Sequence, residues 1–70
     1  MTNILFIEGK NNEITVVSED ISPTVLSNML NIKTTNEKIL KFNRNELSKH
    51  THKLTHMGYK CYYLNNLSKL

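Results

Sequence analysis

Residues 3–19, NILFIEGKNNEITVVSE, contain two apolar runs and the turn between them, and they decide the fold of this chain. The turn sequence GKNN at residues 9–12 is dominated by glycine and asparagine, the types that tight turns favour. In the second run, ITVV at residues 14–17, apolar side chains return at every second position, as in a strand with one face towards a core. The stretch therefore predicts a β-hairpin over residues 3–18.

The first apolar run differs from the second because it has no polar face. Along a strand Ile4 and Phe6 point one way, whereas Leu5 and Ile7 point the other way. A strand with two apolar faces is typical of the centre of a sheet. The helices of so short a chain can cover one face, so we predict that the face with Leu5 and Ile7 is a partner surface.

Two helices and further strands are predicted after the hairpin. Ser22 can cap a helix that begins at Pro23, because serine accepts a hydrogen bond from the first turn and proline suits the first helical position. Asn43 and Glu46 have the spacing of a capping box for a second helix, which Gly58 ends. The predicted elements are a hairpin over 3–18, a helix over 22–31, a loop over 31–37, a strand over 38–42, a helix over 44–57 and a short strand over 59–64.

The order of these elements predicts the fold class. Seventy residues allow a single domain. We predict an α+β fold, with a small three-stranded sheet, two helices on one side of it and a short terminal strand. Apolar residues at helical spacing should face the sheet: Val25, Leu26, Met29 and Leu30 in the first helix, and Leu47, Leu54 and Met57 in the second.

The stretch GYKCYYLNN, residues 58–66, is predicted to end the fold as an aromatic strand. Tyr59 and Tyr63 share one face of such a strand, whereas Tyr62 and Leu64 point to the other. Either one face packs and the phenols reach water, or the second face belongs to a partner surface, where tyrosine is enriched. The residues predicted to contact a partner protein are Leu5, Ile7, Tyr59, Tyr62 and Leu64.

The positive charge of the chain lies in its second half. Residues 1–32 contain one lysine against four carboxylates, whereas residues 33–70 contain eight basic residues against two carboxylates. A basic segment attracts nucleic acid or an acidic protein surface. The alternative function is therefore a small DNA- or RNA-binding regulator of winged-helix type, whose second helix meets phosphates and base edges. Its binding residues would be Arg44, Asn45, Lys49 and Lys53.

The residue types that catalyse reactions or bind metals do not form a motif. Cys61 is the only cysteine, so no disulfide can form within the chain, and we expect a small packing role for it. His52 and His56 are expected in solvent and His50 beside the apolar stripe, so no metal site is predicted. The carboxylates expected at the surface are Glu8, Glu13, Glu19 and Asp20. We therefore predict a protein that is not an enzyme and uses no cofactor.

The chain resembles the BTB/POZ superfamily in the order of its segments. These are ILFIEGKNNEITVVSE, SPTVLSNML, NIKTTNE, EKILKFN, NELSKHTHKLTHM and GYKCYYLNN, and TVLSNML and YKCYYLNN carry the strongest likeness. Within the superfamily the chain is similar to the elongin C family of cullin ubiquitin-ligase adaptors. The similarity covers residues 3–66, in a form truncated before the last helices of that family.

The resemblance implies a protein-interaction module, acting as an adaptor or a mimic in a cullin ubiquitin-ligase setting. Its partner would be a cullin-like protein, an elongin B-like protein or a second copy in a homodimer. A further alternative is an inhibitor of a host protein, encoded by a virus or a mobile element. The apolar runs are too short to span a bilayer. We therefore expect no membrane contact and a cytoplasmic or nuclear location, in the host cell for a viral or effector protein.

Overall fold

The structure is a computed structural model that describes residues 2–33 and 38–65. Its elements in chain order are β1 (Asn3–Glu8), β2 (Glu13–Val17), α1 (Pro23–Leu30), β3 (Leu40–Asn43), α2 (Leu47–His56) and β4 (Lys60–Asn65). Two short 3₁₀ turns, Lys10–Asn12 and Arg44–Glu46, precede β2 and α2. Positions 34–37 of the predicted loop lie outside the described residues.

The strands form one mixed four-stranded sheet in the order β3-β2-β1-β4. β2 is antiparallel to β1 and to β3, whereas β4 runs parallel to β1, from Lys60 beside Asn3 to Asn65 beside Glu8. The α+β class is confirmed, but the prediction of a three-stranded sheet with a separate short strand is wrong. β1 lies inside the sheet, so its second backbone edge needs hydrogen-bonding partners, and β4 supplies them.

The hydrophobic core lies on one face of this sheet, and both helices cover that face. Alternate residues of the strands point into the core, as the period of a strand requires. Leu26 and Leu30 of α1 and Leu54 of α2 pack into the same cluster. The strand residues buried in it are Ile4, Phe6, Ile14, Val16, Leu40 and Phe42.

The helices bury a narrower stripe than the sequence predicts. In α1 the buried residues Leu26 and Leu30 are one turn apart, whereas Val25 is 48% exposed. Met57 is 49% exposed, because it follows α2 as the C-cap residue. The prediction that Val25 and Met57 belong to the core is therefore wrong. Ser27, on the other side of Leu26, is buried instead, so the buried face of α1 is turned away from Val25.

Of the two predicted N-cap residues, Ser22 caps the helix expected for it and Asn43 does not. The Ser22 hydroxyl accepts a hydrogen bond from an N–H of the first turn of α1 at 3.3 Å, and Asn31 ends this helix with φ +57°. The Asn43 side chain accepts a hydrogen bond from the Asn45 N–H at 3.0 Å. Asn43 therefore caps the 3₁₀ turn and not α2. The single helix predicted over 44–57 is instead a 3₁₀ turn followed by α2.

Gly58 turns the chain out of α2 and towards β4. Its φ is +100°, in the region that favours glycine. The Gly58 N–H donates to the Thr55 carbonyl at 3.0 Å, and the Tyr59 N–H donates to the Leu54 carbonyl at 3.1 Å. This pair of bonds is the Schellman motif, which satisfies carbonyls at a helix end. The motif fixes the point at which β4 starts beside β1.

Candidate protein-binding surface

The sheet face opposite the core carries two neighbouring rows of side chains that are mainly apolar. The rows are Val17, Leu5 and Tyr62 in the first, and Thr15, Ile7 and Leu64 in the second. Val17, Tyr62 and Leu64 are 44%, 49% and 40% exposed. Leu5, Ile7 and Thr15 are half-buried. We refer to these six residues as the uncovered face.

Within residues 2–33 and 38–65, no helix packs on the uncovered face. The buried leucines of α1 and α2 belong to the core on the opposite side of the sheet. A contiguous apolar patch that stays in water is the usual mark of an interaction site. The structure thus places four of the residues predicted to contact a partner on one surface: Leu5, Ile7, Tyr62 and Leu64.

Three residues differ from the sequence-based prediction of this surface. Tyr59 does not lie on the uncovered face, because it precedes β4 and packs, half-buried, against the core beside the end of α2. Val17 and Thr15 belong to the face but were not predicted. The signal was present, because Val17 and Thr15 point away from the side of β2 that Val16 occupies.

Charged residues border the uncovered face at the end where β1 begins. Glu19 and Asp20 line a depression of about 210 Å³ together with Leu5 and Val17. Lys60 begins β4 on the other side of β1. None of these three charged side chains forms an ion pair with another residue in the described ranges. At this end of the face the border is therefore acidic beside β2 and basic on β4, whereas at the level of Thr15 the β3 residue Lys41 is paired with Glu13.

Glu8, at the end of β1, is buried on the core side and is only 4% exposed. Its carboxylate accepts a hydrogen bond from the Tyr63 hydroxyl and lies 3.1 Å from Arg44 Nε. A buried carboxylate requires such partners to offset the loss of water. The prediction of a surface position for Glu8 is wrong, because only the pairing of β4 with β1 brings Tyr63 to it.

The residues predicted to bind nucleic acid fall into two groups. Arg44 and Asn45 lie in the 3₁₀ turn before α2 and line a depression of about 490 Å³ that neither lysine lines. Arg44 is also engaged by Glu8. Lys49 and Lys53 are exposed on α2 and four residues apart, so their ammonium groups share one face of the helix.

A groove of about 540 Å³ separates α2 from β4. Phe6, His52 and Cys61 are among its lining residues. The Thr55 hydroxyl donates to the half-buried Cys61 sulfur at 3.8 Å. Within residues 2–33 and 38–65, no three His, Cys, Asp or Glu side chains are grouped as metal ligands.

His50 is a packing residue on the core side of α2 and is 2% exposed. Its ring meets Phe42 edge to face, with ring centroids 4.7 Å apart. His50 Nε2 lies 3.4 Å from Glu46 Oε1, but no hydrogen bond of good geometry forms there. Burial lowers the pKa of His50, and the Glu46 carboxylate acts in the opposite direction. His52 and His56 are exposed on the same helix, as predicted.

Comparison of the chain with protein families, with curated proteins and with solved structures finds no match. The resemblance to the BTB/POZ superfamily therefore stays a prediction. In the part of the chain that the structure describes, none of the helices combines the length and the apolar character needed to cross a membrane.

Proposed function

We propose that this chain is a protein–protein interaction module that binds another polypeptide through the uncovered face. The exposure of Val17, Tyr62 and Leu64 around Leu5 and Ile7 carries the proposal. Each Å² of apolar surface removed from water contributes about 25 cal/mol. A partner that covers this face therefore stabilises the complex by removing from water an apolar area that the two helices of the chain do not cover.

The chemistry of the uncovered face favours an apolar partner surface with a few polar groups. Tyr62 offers a large aromatic area with one hydroxyl, a combination that is enriched at interfaces. The BTB/POZ resemblance supports a cullin ubiquitin-ligase setting, in which the chain would act as a non-catalytic adaptor or as a mimic. That setting gives the first candidate partners to test, cullin-like and elongin B-like proteins.

Nucleic-acid binding is the second candidate function. Lys49 and Lys53 support it, because both are exposed on one face of α2 and neither forms an ion pair with another described residue. Phosphate contacts made by such lysines weaken steeply as salt rises. An apolar interface, in contrast, persists in high salt.

A pull-down with the tagged chain tests these two functions. The wild type, Tyr62→Lys and the matched control Asn28→Lys, which adds a lysine at an exposed position of α1, would be compared in low and high salt. We expect a specific protein to bind the wild type and Asn28→Lys in both salts and to be lost with Tyr62→Lys. Tyr62→Phe should keep the interaction, because the aromatic area is retained.

The opposite pattern would overturn the proposal. If the bound material is nucleic acid that high salt releases, and if Lys49→Glu with Lys53→Glu abolishes its binding, the second candidate is the correct one. Circular dichroism of each variant establishes that it is folded. Should Tyr62→Lys fail to fold, Leu64→Lys replaces it, since Leu64 lies on the same face of the edge strand β4.

A further inference from the structure

We infer that the occupant of the uncovered face is the same face of a second copy, in a two-fold dimer whose axis runs parallel to β1. The inference rests on the proposed function and specifies its partner. It is drawn from the positions of charges and apolar side chains relative to β1, which lies between β2 and β4 in the sheet.

The charges at the border give the first argument. Glu19 follows two residues after Val17, which pairs with Leu5, so the acidic pair with Asp20 lies at the level where β1 begins. Lys60 pairs with Asn3 and lies at the same level on the other side of β1. Opposite unpaired charges therefore stand at equal height on either side of the central strand.

A two-fold axis along β1 exchanges the two sides of the face and keeps the height along the strand. The operation sets Lys60 of each copy over the acidic Glu19 and Asp20 of the other copy. Two sheets that pack face to face are about 10 Å apart, a gap that long side chains from both faces fill. Each charge at this border thus gains a partner of opposite sign, and symmetry makes the same contact occur twice in the dimer.

The same operation matches the apolar side chains. Leu5 and Ile7 lie on the axis and meet their own copies. Val17 and Tyr62 flank Leu5 on opposite sides, so Val17 of one copy meets Tyr62 of the other. Leu64 meets Thr15 in the next row by the same rule. The uncovered face and its charged border are therefore complementary to themselves under this axis, in the placement of apolar side chains and in charge.

A two-fold axis across the strands fails the same test. It reverses the height along β1, so the lysine at one end of β4 is moved to the level of the opposite end. Lys60 of one copy would then press on Leu64 of the other, and a charge buried against an apolar side chain without a partner is costly. The charge positions select the axis along β1.

The size of the face sets the expected strength. A standard interface has about 20 to 30 residues on each side. The uncovered face and its charged border are a much smaller set, so we expect a reversible equilibrium between monomer and dimer and not a permanent dimer.

Charge reversal and mixing test the dimer by sedimentation velocity over a concentration series. Lys60→Glu places two carboxyl-bearing surfaces against each other, and Glu19→Lys with Asp20→Lys places lysines against Lys60. We expect each variant alone to dimerise about tenfold more weakly than the wild type or worse. An equal mixture of the two variants should regain dimers, because both border contacts then join opposite charges.

A matched control separates the effect of the border contact from the effect of net charge. Lys53→Glu changes the net charge by as much as Lys60→Glu but lies on α2, away from the uncovered face. It should dimerise like the wild type, and its mixture with the Glu19→Lys, Asp20→Lys variant should contain no more dimer than the two proteins form separately. A gain in dimer above that of the separate proteins that is as large with Lys53→Glu as with Lys60→Glu would overturn the inference.

The remaining outcomes distinguish this inference from the proposed function. A wild type that stays monomeric at every concentration, but binds a different protein through Tyr62, overturns the dimer and leaves the proposed function standing. A dimer that forms equally well in Tyr62→Lys uses another surface, which overturns the inference and removes the support for the proposed face.

Discussion

His50 should make the stability of the fold depend on pH between neutrality and mild acid. Burial lowers its pKa below the usual 6.5, against the opposing effect of Glu46. The folded state therefore favours the neutral imidazole, and protons bind preferentially to the unfolded chain. The stabilisation is complete above pH 6.5 and is lost as the pH falls through the lower pKa of the folded state.

Two variants test this dependence through urea unfolding between pH 7.5 and about 5, above the usual pKa of carboxylates. His50→Gln should flatten the fall in the free energy of unfolding, whose slope for one group is at most about 1.4 kcal/mol per pH unit. Glu46→Gln should steepen the fall, because it removes the carboxylate that raises the pKa of His50. Equal slopes for all three proteins would assign the pH dependence to other groups.

Gly58 is the glycine whose backbone conformation the fold requires. An added Cβ at position 58 would have no atom within 4 Å. The cost of a side chain there therefore comes only from the backbone φ of +100°. We expect Gly58→Ala to lower the free energy of unfolding by about 1–2 kcal/mol. Gly9→Ala is the control, because φ is −113° and its Cβ would make an ordinary 3.8 Å contact. A loss with Gly9→Ala as large as that with Gly58→Ala would contradict this account.

At the scale of elements, Glu8 joins β1 to β4 and to the turn before α2. Tyr63→Phe removes the hydroxyl that donates to this buried carboxylate, and we expect a loss of about 1.5–3 kcal/mol in the free energy of unfolding. Tyr62→Phe is the matched control, since the Tyr62 hydroxyl has no hydrogen bond to a described residue and points from the other face. Its effect should stay within about 0.5 kcal/mol. Chemical unfolding of both variants measures these losses. Similar losses for the two would show that the buried Glu8 carboxylate does not need the hydrogen bond from Tyr63.

The elements that the sequence predicts correctly are those fixed by local chemistry. The turn at residues 9–12 and the alternation in β2 specify the hairpin, and Ser22 specifies the start of α1. The two apolar faces of β1 also indicated the surface with Leu5 and Ile7. The pairing of β4 with β1 and its parallel direction could not be predicted in this way, because its partner lies more than fifty residues away in the chain.

The burial of Glu8 illustrates the same limit at a single position. Strand alternation places Glu8 on the face with Ile4 and Phe6 and Glu13 on the opposite face, but it supplies no partner for a buried carboxylate. Glu8 is buried because β4 delivers Tyr63 and the turn after β3 delivers Arg44. The partners that make this burial possible come from remote elements and therefore have no local sequence signal.

For the whole molecule, the uncovered face should couple stability to concentration. A domain of about this size buries only about 60% of the surface of its unfolded chain, so each additional area removed from water is a large share of its stability. If a second copy covers the face, folding and association are linked by mass action. The Tm of the wild type should then rise with protein concentration. Each tenfold increase in concentration adds up to about 1.4 kcal/mol per dimer to the free energy of unfolding.

Differential scanning calorimetry across a hundredfold concentration range measures this coupling. Tyr62→Lys should have a Tm that does not change with concentration, because a lysine set against the apolar Val17 of the other copy prevents the dimer from forming. Asn28→Lys, with the same new charge on the outer side of α1, should keep the rise of the wild type. A wild-type Tm that is constant over the whole range would mean that the chain folds and melts as a monomer. The apolar rows around Leu5 and Ile7 would then have to be covered by a different protein.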